Sequence, residues 1–341
     1  MKHLADRMSS IQPFHVMALL ARARELEAAG RSIVHMEIGE PDFVTPQPVI
    51  DAGMRALAEG RTHYTPAVGL PALRERIAAF YAERYSVPVA PERIVITPGA
   101  SAALQLVMAV LVNPGDAVLM ADPGYPCNRN FVYLLNGEPL GIPVAAATQY
   151  QPSVQQVRNA WRDHVRALMV ASPSNPTGTL LEPDTLRALY AEVAAREASL
   201  VVDEIYHGLT YADTPQSALA QGEDLFVINS FSKYFGMTGW RLGWLVAPPD
   251  CVEALDTLAQ NLFLAAPTPA QYAALAAFHP HTRAIFEQRR DEFRKRRDFL
   301  LPALRRIGFD IPVEPQGAFY LYADCSRFTE DSFVFAHDLL E

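Results

Sequence analysis

From Arg93 to Ala247 the chain repeats one rhythm: short apolar runs bounded by turn residues alternate with longer stretches whose apolar positions recur at helical spacing. The runs predict strands at Ile94–Thr97, Ala117–Met120, Pro139–Pro143, Ala167–Ala171, Leu200–Asp203, Phe226–Asn229 and Leu242–Ala247, with helices such as Ala100–Leu111 and Pro183–Ala195 between most of them. Strands alternating with helices predict a mainly parallel α/β sheet covered on both faces. Before this region, residues 1–13 form a polar, proline-ended arm that buries little by itself. Val16, Met17, Leu19, Leu20 and Leu26 predict a helix over Phe14–Ala29 that stops at Gly30. Ile33–Ile38 reads as a short strand, followed by a turn at Gly39–Phe43 in which Gly39 lets the backbone approach something closely. Helices are expected over Pro46–Glu59 and Leu70–Tyr85. After Pro249 the pattern turns helical to about Arg306, with a break at Ala266-Pro267. A strand is then expected at Gly317–Tyr322, and a helix from Asp331. A composition shift near residue 280 marks a second, smaller domain.

Length and charge narrow the class. The chain has 341 residues, half apolar and a fifth charged, with a formal net charge of −9, which suits a soluble globular protein of roughly two domains and argues against a nucleic-acid partner. The one basic run, Arg289 to Arg297, interleaves Asp291 and Glu292 within a helical pattern and reads as a solvated face. Cys127, Cys251 and Cys325 are far apart, without the CxxC spacing of a metal or redox site. His279 and His281 read as loop or cap residues, so no metal is expected. Neither a signal peptide nor an apolar run of membrane-spanning length is visible, and the cytoplasm is the expected compartment.

Chemistry gathers in two stretches. Phe226 to Gly243 ends an apolar strand with Ser230, Lys233 and Arg241, while DEIYHG, at Asp203 to Gly208, closes the strand before it. An acid at one strand end, a tyrosine three residues on and a lysine after the next strand suit pyridoxal 5′-phosphate, which binds as a lysine Schiff base with an acidic partner on its ring nitrogen. In open α/β sheets ligands sit beyond the carboxyl ends of the strands. Gly99 to Ser101, Asp122 to Tyr125, Ser174 to Gly178, Asp203 to Tyr206 and Ser230 to Lys233 all fall there. Singly each has a plain reading: Tyr125 as core, Asn175 as a turn residue, Arg241 as a surface charge.

With IGEPDF, HYTPAVGLPALR, ITPGASAAL, PGDAVLMADPGYP, SPSNPTG, VVDEIY, SFSKYFGMTGWRLGW and PQGAFY in this order, the chain resembles the class I and II pyridoxal-phosphate aminotransferases of fold type I, in the aspartate and aromatic aminotransferase-like branch. The resemblance runs from about residue 10 to the end. It implies a large cofactor-binding domain at 46–280, a small α+β domain from 14–45 and 281–341, and an arm at 1–13. It also implies that Lys233 holds the cofactor and moves the proton between Cα and C4′. Asp203 pairs with the ring nitrogen, and Tyr206 and Asn175 hydrogen-bond the ring's 3′-oxygen. Tyr125 stacks on the ring and Ile205 covers its other face. The phosphate takes Ala100 and Ser101 backbone N–H groups at a helix start, together with Ser230 and Arg241, and Tyr64 reaches it from the neighbouring subunit of a homodimer. Gly39, Tyr125 and Asn175 lie near the substrate. The implied reaction moves an amino group between an amino acid and a 2-oxo acid by a ping-pong route. A carbon–sulfur lyase of the same fold is the alternative, and a non-catalytic effector-binding module is a more remote one. Family members continue past the helix near Asp331 with an arginine that grips the substrate α-carboxylate. No arginine here matches it, so the chain is expected to be part of a longer protein.

Overall fold

The computed structural model describes residues 4–212 and 214–341. A seven-stranded sheet is built from β1 (Ile94–Thr97), β2 (Ala117–Asp122), β3 (Glu138–Pro143), β4 (Val165–Ala171), β5 (Ser199–Asp203), β6 (Leu225–Ser230) and β7 (Gly243–Val246), in the order β1-β7-β6-β5-β4-β2-β3. β3, β2, β4, β5 and β6 run parallel, whereas β7 is antiparallel to both its neighbours. The seven expected strands are all present. Apolar runs specify burial but not direction, which is why the reversal of β7 was not visible in the sequence.

Eleven α-helices are described: α1 (His15–Ala28), α2 (Gln47–Ala58), α3 (Pro71–Tyr85), α4 (Ala100–Leu111), α5 (Cys127–Leu134), α6 (Val154–Ala160), α7 (Pro183–Ala194), α8 (Val252–Leu262), α9 (Thr268–Leu275), α10 (Pro280–Ile307) and α11 (Ser332–Leu340). The expected break near Ala266-Pro267 is the gap between α8 and α9. Proline at the first turn of α2, α3, α7, α9 and α10 starts each helix where the missing N–H costs nothing. α5 and α6 went unread because each spans only two turns, too short for a clear 3.6-residue period.

Both faces of the sheet are covered, and side chains of single strands divide between two cores. Ile94 and Ile96 enter one core and Val95 the other; Trp244 and Val246 face the first, Leu245 the second. Two buried faces explain why the strands read as unbroken apolar runs rather than alternations. The fully buried Trp244 still satisfies its polar edge, donating Nε1–H to the Tyr81 hydroxyl at 3.2 Å. Among the described residues no helix is long and apolar enough to cross a membrane.

Two expected strands are not formed. Residues 33–38 are extended without a sheet partner, and Val34 and Met36 stay 82% and 68% exposed. The alternation there belongs to a segment with one wall on a cavity and one face outward. At 317–322 only Gly317 pairs, in an isolated bridge to Thr210. The positive φ of 56° at Ala318 then turns the chain, so that Phe319 and Tyr320 enter the same cavity.

Candidate active site

Because β6 and β7 are antiparallel neighbours, the connection between them returns to the carboxyl end of the parallel strands, carrying Lys233 out of β6 and Arg241 into β7. Asp203 ends β5, next to β6, and Gly99 opens α4 just beyond β1. The four positions therefore converge at one end of the sheet. There they border a cavity of about 760 Å³ also lined by Gly39, Ala100, Ser101, Tyr125, Asn175, Ile205, Tyr206 and Ser230. Every expected site residue is brought together there except Tyr64, which is 79% exposed and lies outside the lining.

Two glycines set the floor of this site. Gly99 has φ of +82°, and a Cβ there would collide with the Arg241 guanidinium. A Cβ on Gly243 would lie 2.8 Å from the Ala100 nitrogen and from the Gly99 carbonyl carbon. Side chains at either position would part β7 from α4 and move the guanidinium away from the helix start. Arg241 sits at φ 51°, ψ 60° and donates from Nη1 to the Thr238 carbonyl at 2.9 Å, with no acidic partner among the described residues. Beside it the Ser230 hydroxyl donates to Ser232 Oγ at 2.9 Å or to the Leu242 carbonyl at 3.1 Å, and accepts from the Ser232 N–H at 3.0 Å. A helix start, a cation and two hydroxyls make a donor set that fits a phosphate.

The acid and the amine are both perturbed by burial. Desolvation pushes the Asp203 carboxyl up to about 6, although the Ile205 N–H donates to it at 3.0 Å and Lys233 lies nearby. It had been expected to stay ionised beside a cation. It does remain mainly ionised at neutral pH, but burial outweighs the two favourable partners. Desolvation also brings the Lys233 ammonium down to about 8, with the opposing charge of Glu40 only partly restoring it and Arg241 lowering it further. Lys233 Nζ donates to the Gly39 carbonyl at 2.6 Å, so Gly39, expected near the substrate, meets the lysine. A pair of titratable groups with opposite burial shifts in one cleft is a mark of a reactive site.

Above this pair lies an aromatic network. The Tyr206 and Tyr320 hydroxyls are 2.6 Å apart, and Asn175 Nδ2 donates to Tyr320 Oη at 3.3 Å. Burial raises the Tyr206 hydroxyl far above its ordinary value and Tyr320 to about 12, so both are proton carriers at neutral pH. Tyr125 meets Phe14 edge to face at 6.1 Å between ring centres. Sequence reasoning missed Tyr320 and Ser232. Tyr320 follows the turn at Ala318 that was read as strand, and Ser232 lies between two residues already given a role. The signal available was the string of polar and aromatic residues at turn positions. No group of three His, Cys, Asp or Glu side chains that could hold a metal occurs among the described residues.

Comparison with known proteins agrees with this geometry. The family described as aminotransferase class I and II matches residues 31–341. The chain is 39% identical to a valine–pyruvate aminotransferase of Mycobacterium tuberculosis, covering 99% of this chain and 88% of that protein. It is 34% identical to an aspartate/prephenate aminotransferase of Thermus thermophilus, covering 100% and 89%. Among solved structures, an aminotransferase from Mycobacterium tuberculosis superposes with a TM-score of 0.95 at 39% identity, covering 100% of this chain and 88% of that one. The Thermus thermophilus aspartate aminotransferase with maleate gives 0.94 at 33% identity, covering 99% and 89%. These relatives carry aminotransferase names, which supports amino-group transfer and not the lyase alternative. With buried acid and amine, a phosphate-fitting helix start and a match across nearly its whole length, this chain belongs to the class I and II aminotransferases.

Proposed function

We propose that the cavity binds pyridoxal 5′-phosphate, the cofactor on which this family generally depends, and exchanges amino groups between amino acids and 2-oxo acids at Lys233. The observation that carries this reading is the convergence of buried Lys233 and Asp203 on a helix start armed with Arg241. When bound, the cofactor supplies an aldehyde that links covalently to amines and a ring that takes up the electron pair left as a Cα–H bond breaks. Lys233 is the anchoring amine and, once freed, takes the Cα proton and returns it on the other side of the exchange. The carboxylate of Asp203 faces the ring nitrogen and keeps a proton on it. Tyr206 and Asn175 donate to the ring oxygen. Ala100 and Ser101 N–H groups, Ser230 and Arg241 hold the phosphate dianion, while Tyr125 and Ile205 enclose the ring. Gly39, Tyr125 and Asn175 border the substrate.

The depressed ammonium of Lys233 gives a pH test. Only the neutral amine attacks an aldehyde, and a lowered value means that this form dominates above about 8. The rate at which apoprotein captures the cofactor, followed by absorbance, is expected to rise through about pH 8 and then level off. A rate that keeps climbing toward the ordinary lysine value of 10.5 contradicts the buried placement.

We further propose a homodimer in which Tyr64, exposed within one chain, reaches the phosphate of the neighbouring subunit. Loss of one hydrogen bond to a charged group costs about 1.5–3 kcal/mol, so Tyr64→Phe is expected to weaken cofactor binding roughly 10- to 100-fold. Equal affinity in wild type and variant, or a fully active monomer by light scattering, rules out the shared site. For substrates the reading is a broad donor range that includes glutamate, aspartate or alanine, with 2-oxoglutarate or pyruvate as acceptor. Names among the relatives that mention valine, aspartate and prephenate support breadth. Adding single amino acids to the loaded protein and following loss of its visible absorbance, then keto-acid release, tests it directly.

A further inference from the structure

The Tyr320 hydroxyl stands between two side chains assigned to the ring oxygen and contributes to neither assignment so far. Its position is tightly fixed. A Cβ on residue 39 would collide with Tyr320 Oη, so the hydroxyl rests against the backbone whose carbonyl accepts Lys233. The ring is wedged edge to face against Tyr206, with centres 5.6 Å apart.

Hydrogen-bond counting then orders the protons. A tyrosine hydroxyl has one proton to donate and lone pairs to accept. Asn175 donates to Tyr320 Oη at 3.3 Å. The Tyr320 proton has a single acceptor in reach among the described residues, Tyr206 Oη at 2.6 Å. If Tyr320 donates there, Tyr206 cannot spend its own proton on Tyr320, and that proton is free to point into the cavity. A donor that is itself the acceptor of a short hydrogen bond is also polarised and donates more strongly.

We infer that Tyr320 is a positioning residue that acts through Tyr206, turning the Tyr206 proton toward the cofactor's ring oxygen and strengthening that hydrogen bond. This rests on the placement of the ring oxygen beside Tyr206 and Asn175. A plain packing role is the competing account, since phenylalanine would fill the same space.

The two are separated by the pH at which the visible absorbance of the loaded protein switches between its protonated and deprotonated forms. A hydrogen bond to the ring oxygen favours the deprotonated form, so weakening it raises the midpoint. With a hydrogen bond worth about 1 kcal/mol and 1.36 kcal/mol per pH unit, Tyr320→Phe is expected to raise the midpoint by about 0.5–1 unit. Tyr206→Phe is expected to raise it further, and the double variant to match Tyr206→Phe alone, because the first effect passes through the second residue. Thermal unfolding of the three apoproteins accompanies the titration. A Tyr320→Phe protein that melts earlier but titrates like wild type reduces Tyr320 to packing and overturns the inference. A double variant whose shift is the sum of the two singles overturns the relay through Tyr206. If Tyr206→Phe itself leaves the midpoint unmoved while cofactor binds, the placement of the ring oxygen fails instead, and the inference with it.

Discussion

Replacing Lys233 by alanine is expected to lower turnover by at least about 10⁴-fold while leaving the fold intact. Proton transfer by a positioned side chain contributes up to about 10⁴ in rate, and here the same side chain is also the covalent anchor, so both contributions vanish together. The fold should tolerate the change because the amine contributes little to it. Its ammonium is destabilised by burial, and its single hydrogen bond is to the Gly39 carbonyl. Steady-state transamination of Lys233→Ala beside its thermal unfolding checks both halves. Near wild-type turnover would sink the assignment. A protein that no longer folds would show instead that the lysine holds the Gly39 segment in place, and Lys233→Arg would then separate anchoring from packing.

Asp203→Ala carries the second large effect. The carboxylate is enclosed at the end of β5, and the Ile205 N–H fixes it at 3.0 Å. Without it the ring nitrogen loses the charge that keeps it protonated, and the electron pair from the Cα–H bond has nowhere favourable to go. Each tenfold in rate corresponds to about 1.36 kcal/mol of barrier. Loss of a buried, hydrogen-bonded charge partner is worth about 3–5 kcal/mol, so the turnover number is expected to fall by roughly 10²- to 10³-fold. Cofactor affinity, measured by calorimetry on the apoprotein, should fall less, because Ala100, Ser101, Ser230 and Arg241 hold the phosphate end independently. A variant that binds cofactor and turns over normally would remove Asp203 from the chemistry.

Much of this was legible in the chain, and the reasons differ by residue. The strands were readable because two buried faces leave unbroken apolar runs. Asp203 and Lys233 were readable because a polar residue directly after such a run must sit at a strand end, where a parallel sheet gathers its ligands. Tyr320 was not, because its place depends on the left-handed turn at Ala318, a conformation that an alanine gives no reason to expect. The burial shifts of Asp203 and Lys233 were not either. They come from enclosure by segments remote in sequence, including Glu40 and the Gly39 carbonyl. Residues 33–38 misled for a related reason: alternation shows that one face is covered, and here a cavity wall rather than a neighbouring strand covers it.

The reversal of β7 has a consequence in chain entropy. Pairing Ser230 with Gly243 closes only the connection 231–242, whereas pairing Thr97 with the same Gly243 closes a loop running from residue 98. Closure cost grows with the logarithm of loop length, and the difference between these two is about 2 kcal/mol. The lysine and the arginine thus ride on the most local pairing in the sheet, and their spacing needs no distant segment to set it. The glycine-started helix that completes the cradle is recruited from far along the chain, and it can dock only where that hairpin already stands.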